Sequence, residues 1–134
     1  MRYYSAGNCY LSSIQQGIQA FHTLGEMITK YHRPEYTVNY LLYDWLHNHK
    51  TVICLNGGNN AKLTAFYDFL TSEDNPYPYV RFHEDADSMD SMLTSVAIIV
   101  PEPIYLANLT EPDGKLTSWE FELATMLQRM PTAR

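Results

Sequence analysis

Two apolar runs constrain this chain most: Thr51-Val-Ile-Cys-Leu55 and Thr94-Ser-Val-Ala-Ile-Ile-Val100. Both are rich in β-branched residues. Neither shows the polar alternation of a strand that faces water on one side. They read as central strands, each covered on both faces by helices. A strand beneath two helical layers needs helical segments before and after it, and the flanking sequence supplies them.

Met1 to Gly7 is short and Tyr-rich and reads as a first strand. A helix starts near Ser12 or Ser13, where Ser13 and Gln16 have capping-box spacing. Ile14, Ile18, Phe21, Gly25 and Ile28 recur at helical spacing and predict its buried face. Gly17 and Gly25 lower helix propensity, so each is expected where another backbone comes close. Pro34 ends this region. A second helix is predicted from Thr37 to Asn48, with Val38, Leu41, Leu42, Trp45 and Leu46 on one side.

The run ending at Leu55 breaks at Asn56-Gly-Gly-Asn-Asn60. Asn60 is placed to cap a third helix with Leu63, Phe66, Tyr67 and Leu70 inward. Tyr79 to Phe82 reads as a third strand and Thr94 to Val100 as a fourth, stopped by Pro101 and Pro103. Thr117 and Glu120 form a capping box for a last helix carrying Trp119, Leu123, Met126, Leu127 and Met130. The order β-α-α-β-α-β-β-α predicts an α/β fold, a four-stranded mixed β-sheet sandwiched between helices. At 134 residues with 46% hydrophobic content, one domain with a full core is expected.

Charge narrows the function. The formal net charge of −6 opposes binding to nucleic acid through a broad basic face. It leaves room for a small nucleotide held in a pocket. The 11 tyrosines read first as packing residues, and second as platforms for stacking on bases. Cys9 and Cys54 form no CxxC pair and are expected as buried free thiols. The start, MRYYSAGN, has no apolar signal core, and no run approaches membrane-spanning length, so a cytoplasmic protein is expected.

Several residues carry possible chemistry. His22 suits acid–base work near neutral pH. Gln19, one turn away, could orient an amide or a ribose hydroxyl. Glu84, Asp85 and Asp87 end a strand just before Thr94. A polar helix start beside an acidic strand end is a candidate small-ligand site at the edge of an α/β sheet. Asn56, Gly57 and Gly58 lead from a strand into a helix and could present backbone N–H groups to an anion. A tight turn with an Asn cap is the simpler reading. Arg81, Lys62 and Arg129 are the cations expected to assist. No HExxH or CxxC motif is present, and neither a metal nor a cofactor is expected.

These motifs, in this order, resemble the type 2 peptidyl-tRNA hydrolase family over roughly residues 1–104. The likeness is to its short, phage-borne members. Ile18-Gln19-Ala20-Phe21-His22 resembles the family's first-helix signature, a glutamine followed three residues later by histidine. Thr51 to Asn56 matches the second strand. Tyr79 to Asp85 matches the strand that ends in the catalytic acid, either Glu84 or Asp85. Thr94 to Ile99 matches the last strand, whose leading threonine belongs to the active site. The resemblance therefore implies a catalytic set of His22, Thr94 and one of that acidic pair. Gln19 is the candidate ligand contact within that signature; Asn56, Gly57, Gly58 and Arg81, read from the residues alone, are further candidates.

The departures are also informative. The family carries a glycine-lysine pair just before the first helix, and its lysine faces the phosphate. Here that stretch is Cys9-Tyr-Leu-Ser-Ser13, with no cation. The aspartate-glycine pair after the third strand is replaced by Glu84-Asp85-Ala86. A nucleotide-ligand protein on this scaffold is expected, one that cleaves or sequesters a nucleotide, including a cyclic nucleotide signal of host immunity. A phage anti-defence role in the host cytoplasm would follow. The alternatives are a peptidyl-tRNA hydrolase, for which tRNA is the weaker ligand, and a non-enzymatic interaction protein. Residues 105–134 extend beyond the resemblance. Their apolar helix either packs on its own domain or supports a homodimer.

Overall fold

The computed structural model describes residues 1–32, 39–84 and 92–133. Strand β1 (Arg2–Gly7) leads into helix α1 (Ser13–Tyr31), then α2 (Asn39–Asp44), which continues as a π-helical turn at Trp45–His49. Strand β2 (Val52–Asn56), helix α3 (Asn60–Leu70) and strands β3 (Tyr79–His83) and β4 (Leu93–Val100) follow. Helices α4 (Glu102–Tyr105) and α5 (Ser118–Arg129) complete the order. The expected start of the second helix, Thr37 and Val38, lies outside the described residues.

The fold is α/β, with one four-stranded mixed sheet in the order β2-β1-β4-β3. β1 runs parallel to β2 and antiparallel to β4, and β3 is antiparallel to β4. The Val96–Val100 run is central as expected, and every residue of β4 is buried. The Val52–Leu55 run is not central. β2 is an edge strand, and Val52 is 45% exposed. Its apolar character has a different reason, because the chain end lies along its outer edge. Asn56 donates its N–H to the Pro131 carbonyl, and the Ala133 N–H reaches Cys54 O. Masking an open edge in this way removes a template for unwanted strand pairing. The inner position belongs to Tyr-rich β1.

Both faces of the sheet are covered. On one face Tyr3, Val80, Ala97 and Ile99 pack against Met27 and Tyr31 of α1 and against Leu42 and Trp45. Tyr3 donates to the Ala20 carbonyl, and Trp45 Nε1 donates to Thr51 O. On the other face Tyr4, Ala6, Val96 and Ile98 pack against Leu63 and Phe66 of α3 and Leu123 and Leu127 of α5. The C-terminal helix therefore packs on its own domain. Among the described residues no helix is long and apolar enough to cross a membrane.

The local signals shift by single residues. The N-cap of α1 is Ser12, whose side chain and Gln15 form the capping box. The cap of α3 is Asn59, not Asn60. Asn60 instead accepts the Leu93 N–H. Pro101 is the N-cap and Pro103 the second residue of a short helix rather than part of a plain loop, because proline is compatible with a helix's first turn. Cys9 is exposed in the turn after β1, contrary to the expectation of burial, while Cys54 is partly buried.

α1 is the main correction. Its buried residues are Gln16, Gln19, Ala20, Thr23, Met27 and Tyr31. The expected core stripe faces outward, with Ile14 and Phe21 more than three-quarters exposed. An added Cβ at Gly17 or Gly25 would meet nothing within 4 Å, so neither glycine marks a close approach. Gly57 does: a Cβ there would collide with Leu63 and lie 3.0 Å from the Ala6 Cβ.

The capping box of α5 supplies a pH-dependent contribution. Burial alone would raise the Glu120 pKa, but hydrogen bonds from Tyr77 and Thr117 outweigh it and hold the pKa below its ordinary 4.5. The folded value is depressed, so this stabilisation is present above pH 4.5 and is lost as pH falls through the folded pKa. Thermal melts below pH 4.5 should therefore show a falling Tm, and Glu120→Gln should flatten that part of the profile.

Candidate functional site

The buried polar side chains among the described residues concentrate where β1 ends and β4 begins. Ser5, Thr94 and Ser95 lie on the sheet, Asn8 lies in the turn after β1, and Gln16, Gln19 and Thr23 lie on the inner side of α1. Ser5 and Ser95 share a 2.7 Å hydrogen bond across the two central strands. Asn8 Nδ2 donates to Leu93 O, and its Oδ1 accepts from the Tyr10 N–H. Polar groups this deep must be paired, and this layer is nearly complete. Gln16 Oε1 alone is buried without a hydrogen-bond partner among the described residues.

A β-bulge aims the threonine. Phe82 pairs with Ser95, yet His83 pairs with Leu93, so Thr94 is the extra residue in β4. Bulges re-aim side chains in this way. Thr94 Oγ1 lies 2.9 Å from Gln19 Oε1 and 3.2 Å from the Phe82 carbonyl, and its single proton serves one or the other. Gln19 Nε2 in turn donates to Glu84 Oε2 at 2.9 Å. The Gln19 carbonyl accepts from Thr23 Oγ1, which braces this turn of helix. The result is a row, Thr94 to Gln19 to Glu84, built from α1 and the ends of β3 and β4.

His22 lies one turn from Gln19, and its ring stacks on Phe82 with centroids 5.0 Å apart. Its ring is otherwise open to solvent, because His22 is exposed. Four of the expected residues, Gln19, His22, Glu84 and Thr94, are thus gathered at one end of the sheet. Asp85 lies outside the described residues.

The other candidates lie elsewhere. Arg81 is exposed on the α3 face, with its guanidinium over the Tyr67 ring at 4.5 Å. Asn56, Gly57 and Gly58 form a tight turn. Asn56 Oδ1 accepts the Gly58 N–H, and Gly58 has φ +84°. These residues line a groove of about 420 Å³ with Lys62, Phe66 and Arg129. A ligand using both this groove and the Gln19 row would have to wrap around the Gly7–Cys9 turn. That turn is bonded to Gly57 and Gly58 on one side and Thr94 on the other. A second cavity, about 500 Å³, lies between Leu106 and Phe121 and contains none of the expected residues.

Sequence reasoning missed Asn8, Gln16 and Ser95, which line the polar layer. Their signal was weak: isolated polar residues within otherwise apolar elements. No group of three His, Cys, Asp or Glu side chains gathers as a metal site among the described residues. Compared with known proteins, the chain matches no family model and no curated protein.

Proposed function

We propose that this chain binds a small nucleotide on a scaffold of the type 2 peptidyl-tRNA hydrolase kind. The observation that carries this reading is the row Thr94–Gln19–Glu84, with bonds of 2.9 Å joining side chains far apart in sequence. In this reading Gln19 and Glu84 hold a ribose or base edge. The exposed His22 takes a proton from the water that attacks an ester or phosphodiester, and returns it to the leaving alcohol oxygen as the scissile bond breaks. Among the described residues no lysine or arginine belongs to the row, and Glu84 brings a carboxylate to it, so charge developing during cleavage would meet no cation there. Sequestration of a nucleotide signal, including a cyclic one, fits this chemistry better than fast hydrolysis. Peptidyl-tRNA is the weaker substrate, since a chain of net charge −6 has little to offer a long phosphate backbone.

The test is a thermal-shift and mass-spectrometric screen with cyclic dinucleotides, cyclic trinucleotides, ADP-ribose derivatives and charged tRNA. A cyclic or mononucleotide should raise the Tm. His22→Ala and Gln19→Ala should each weaken the best hit by about tenfold or more, the loss of one good hydrogen bond. Binding lost only in Lys62→Ala and Arg129→Ala would move the ligand to the α3–α5 groove. The absence of any nucleotide hit would leave the interaction-protein reading.

A further inference from the structure

The outward side of α1 carries an apolar stripe spaced for another helix, and the exposed charged residue within its span is Glu26. Tyr10, Ile14 and Phe21 are 77–78% exposed, Ile18 is 50% exposed and Ile28 is 37% exposed. The opposite side of the same helix is already committed to the sheet. Ile14, Ile18, Phe21, Gly25 and Ile28 alternate steps of four and three residues. That is the repeat of a two-helix seam, not of a helix packed on a sheet. No Asp, Glu, Lys or Arg occurs from Tyr3 to Gly25.

We infer that this face pairs with a second copy of the chain, α1 against α1 in antiparallel orientation about a two-fold axis. The pattern is self-complementary in that arrangement. Ile18 meets the partner's Phe21, and Ile14 meets the open space above the partner's Gly25. Ile28 comes level with the turn that carries the partner's Tyr10. Each contact occurs twice, as a two-fold interface requires. Gly25 has nothing within 4 Å of a would-be Cβ, so a large side chain can seat over it.

Charge selects the same occupant. Most pairings between two copies of a −6 chain bring like charges together, but this stripe brings none. A strongly basic or acidic partner would find nothing complementary on it. The size is sufficient: the five side chains expose roughly 600 Å² per copy, so a pair hides about 1,200 Å², within the range of specific interfaces. The nucleotide reading is not needed for this inference, although His22 would then lie at the rim of the seam.

The test is the mass of the full chain in solution, by light scattering and sedimentation from low to high micromolar concentration. The wild type should show the mass of two chains. Phe21→Glu and Ile18→Glu should each halve it while leaving the circular dichroism spectrum unchanged, because both side chains stand at least half in solvent. Leu106→Glu, equally apolar and exposed but distant in the fold, should leave the doubled mass intact. A wild-type mass of one chain throughout overturns the inference and assigns the face to a different partner. A doubled mass that survives Phe21→Glu overturns it too, by placing the contact elsewhere.

Discussion

Met27→Ala is expected to destabilise the fold by about 2–5 kcal/mol, the usual cost of emptying a buried Met site. Ile18→Ala, on the same helix, should cost under about 0.5 kcal/mol to the single chain. Met27 is fully buried and packs in one cluster with Tyr3, Trp45 and Ile99, whereas Ile18 is half exposed. Urea denaturation at a concentration where the mass is that of one chain separates the two. At higher concentration Ile18→Ala should also lower apparent stability, by weakening the pair through mass action. Equal losses from both substitutions under dilute conditions would mean that α1 is rotated so that Ile18 is as buried as Met27.

That contrast marks where sequence reasoning reached its limit. The strands were legible to within a residue or so, because β-branched runs and the turn residues between them are local signals. The capping boxes at Ser12 and Thr117 belong to the same class, the first displaced by one residue. The inner face of α1 was not legible. It carries Gln16, Gln19 and Thr23, which serve polar groups at the strand ends, while its isoleucines point outward. Periodicity locates an apolar stripe but does not say what covers it. The edge position of β2 was hidden for a related reason. Strand order is set by distant pairings, and residues 131–133 mask the edge that would otherwise demand polar residues. The candidate site lies between these cases. Gln19, His22 and Thr94 could be named from a motif resemblance. The bulge that turns Thr94 toward Gln19 depends on the register of β3 against β4, which no local pattern reveals.

Thr94→Val is expected to destabilise the protein by about 1–3 kcal/mol, although valine nearly matches threonine in shape. Thr94 is fully buried, and Gln19 Oε1 at 2.9 Å is the nearer of the two acceptors its hydroxyl can serve. Removing that hydroxyl leaves a buried amide oxygen without its partner, and the unmade bond costs more than the bond contributed. Gln19→Leu alone should also be costly, because Thr94 and Glu84 then lose their common partner. The Phe82 carbonyl limits this second loss, since Thr94 Oγ1 already lies 3.2 Å from it. The double variant, Gln19→Leu with Thr94→Val, removes both ends of the bond and should be less destabilised than the sum of the singles. Contacting polar pairs usually show a coupling of about 0.5–3 kcal/mol. Urea denaturation of the four proteins measures it. Strict additivity would mean that the two side chains do not act together. The row would then not be a unit that positions Glu84 for a ligand, and the nucleotide site proposed on it would lose its structural basis.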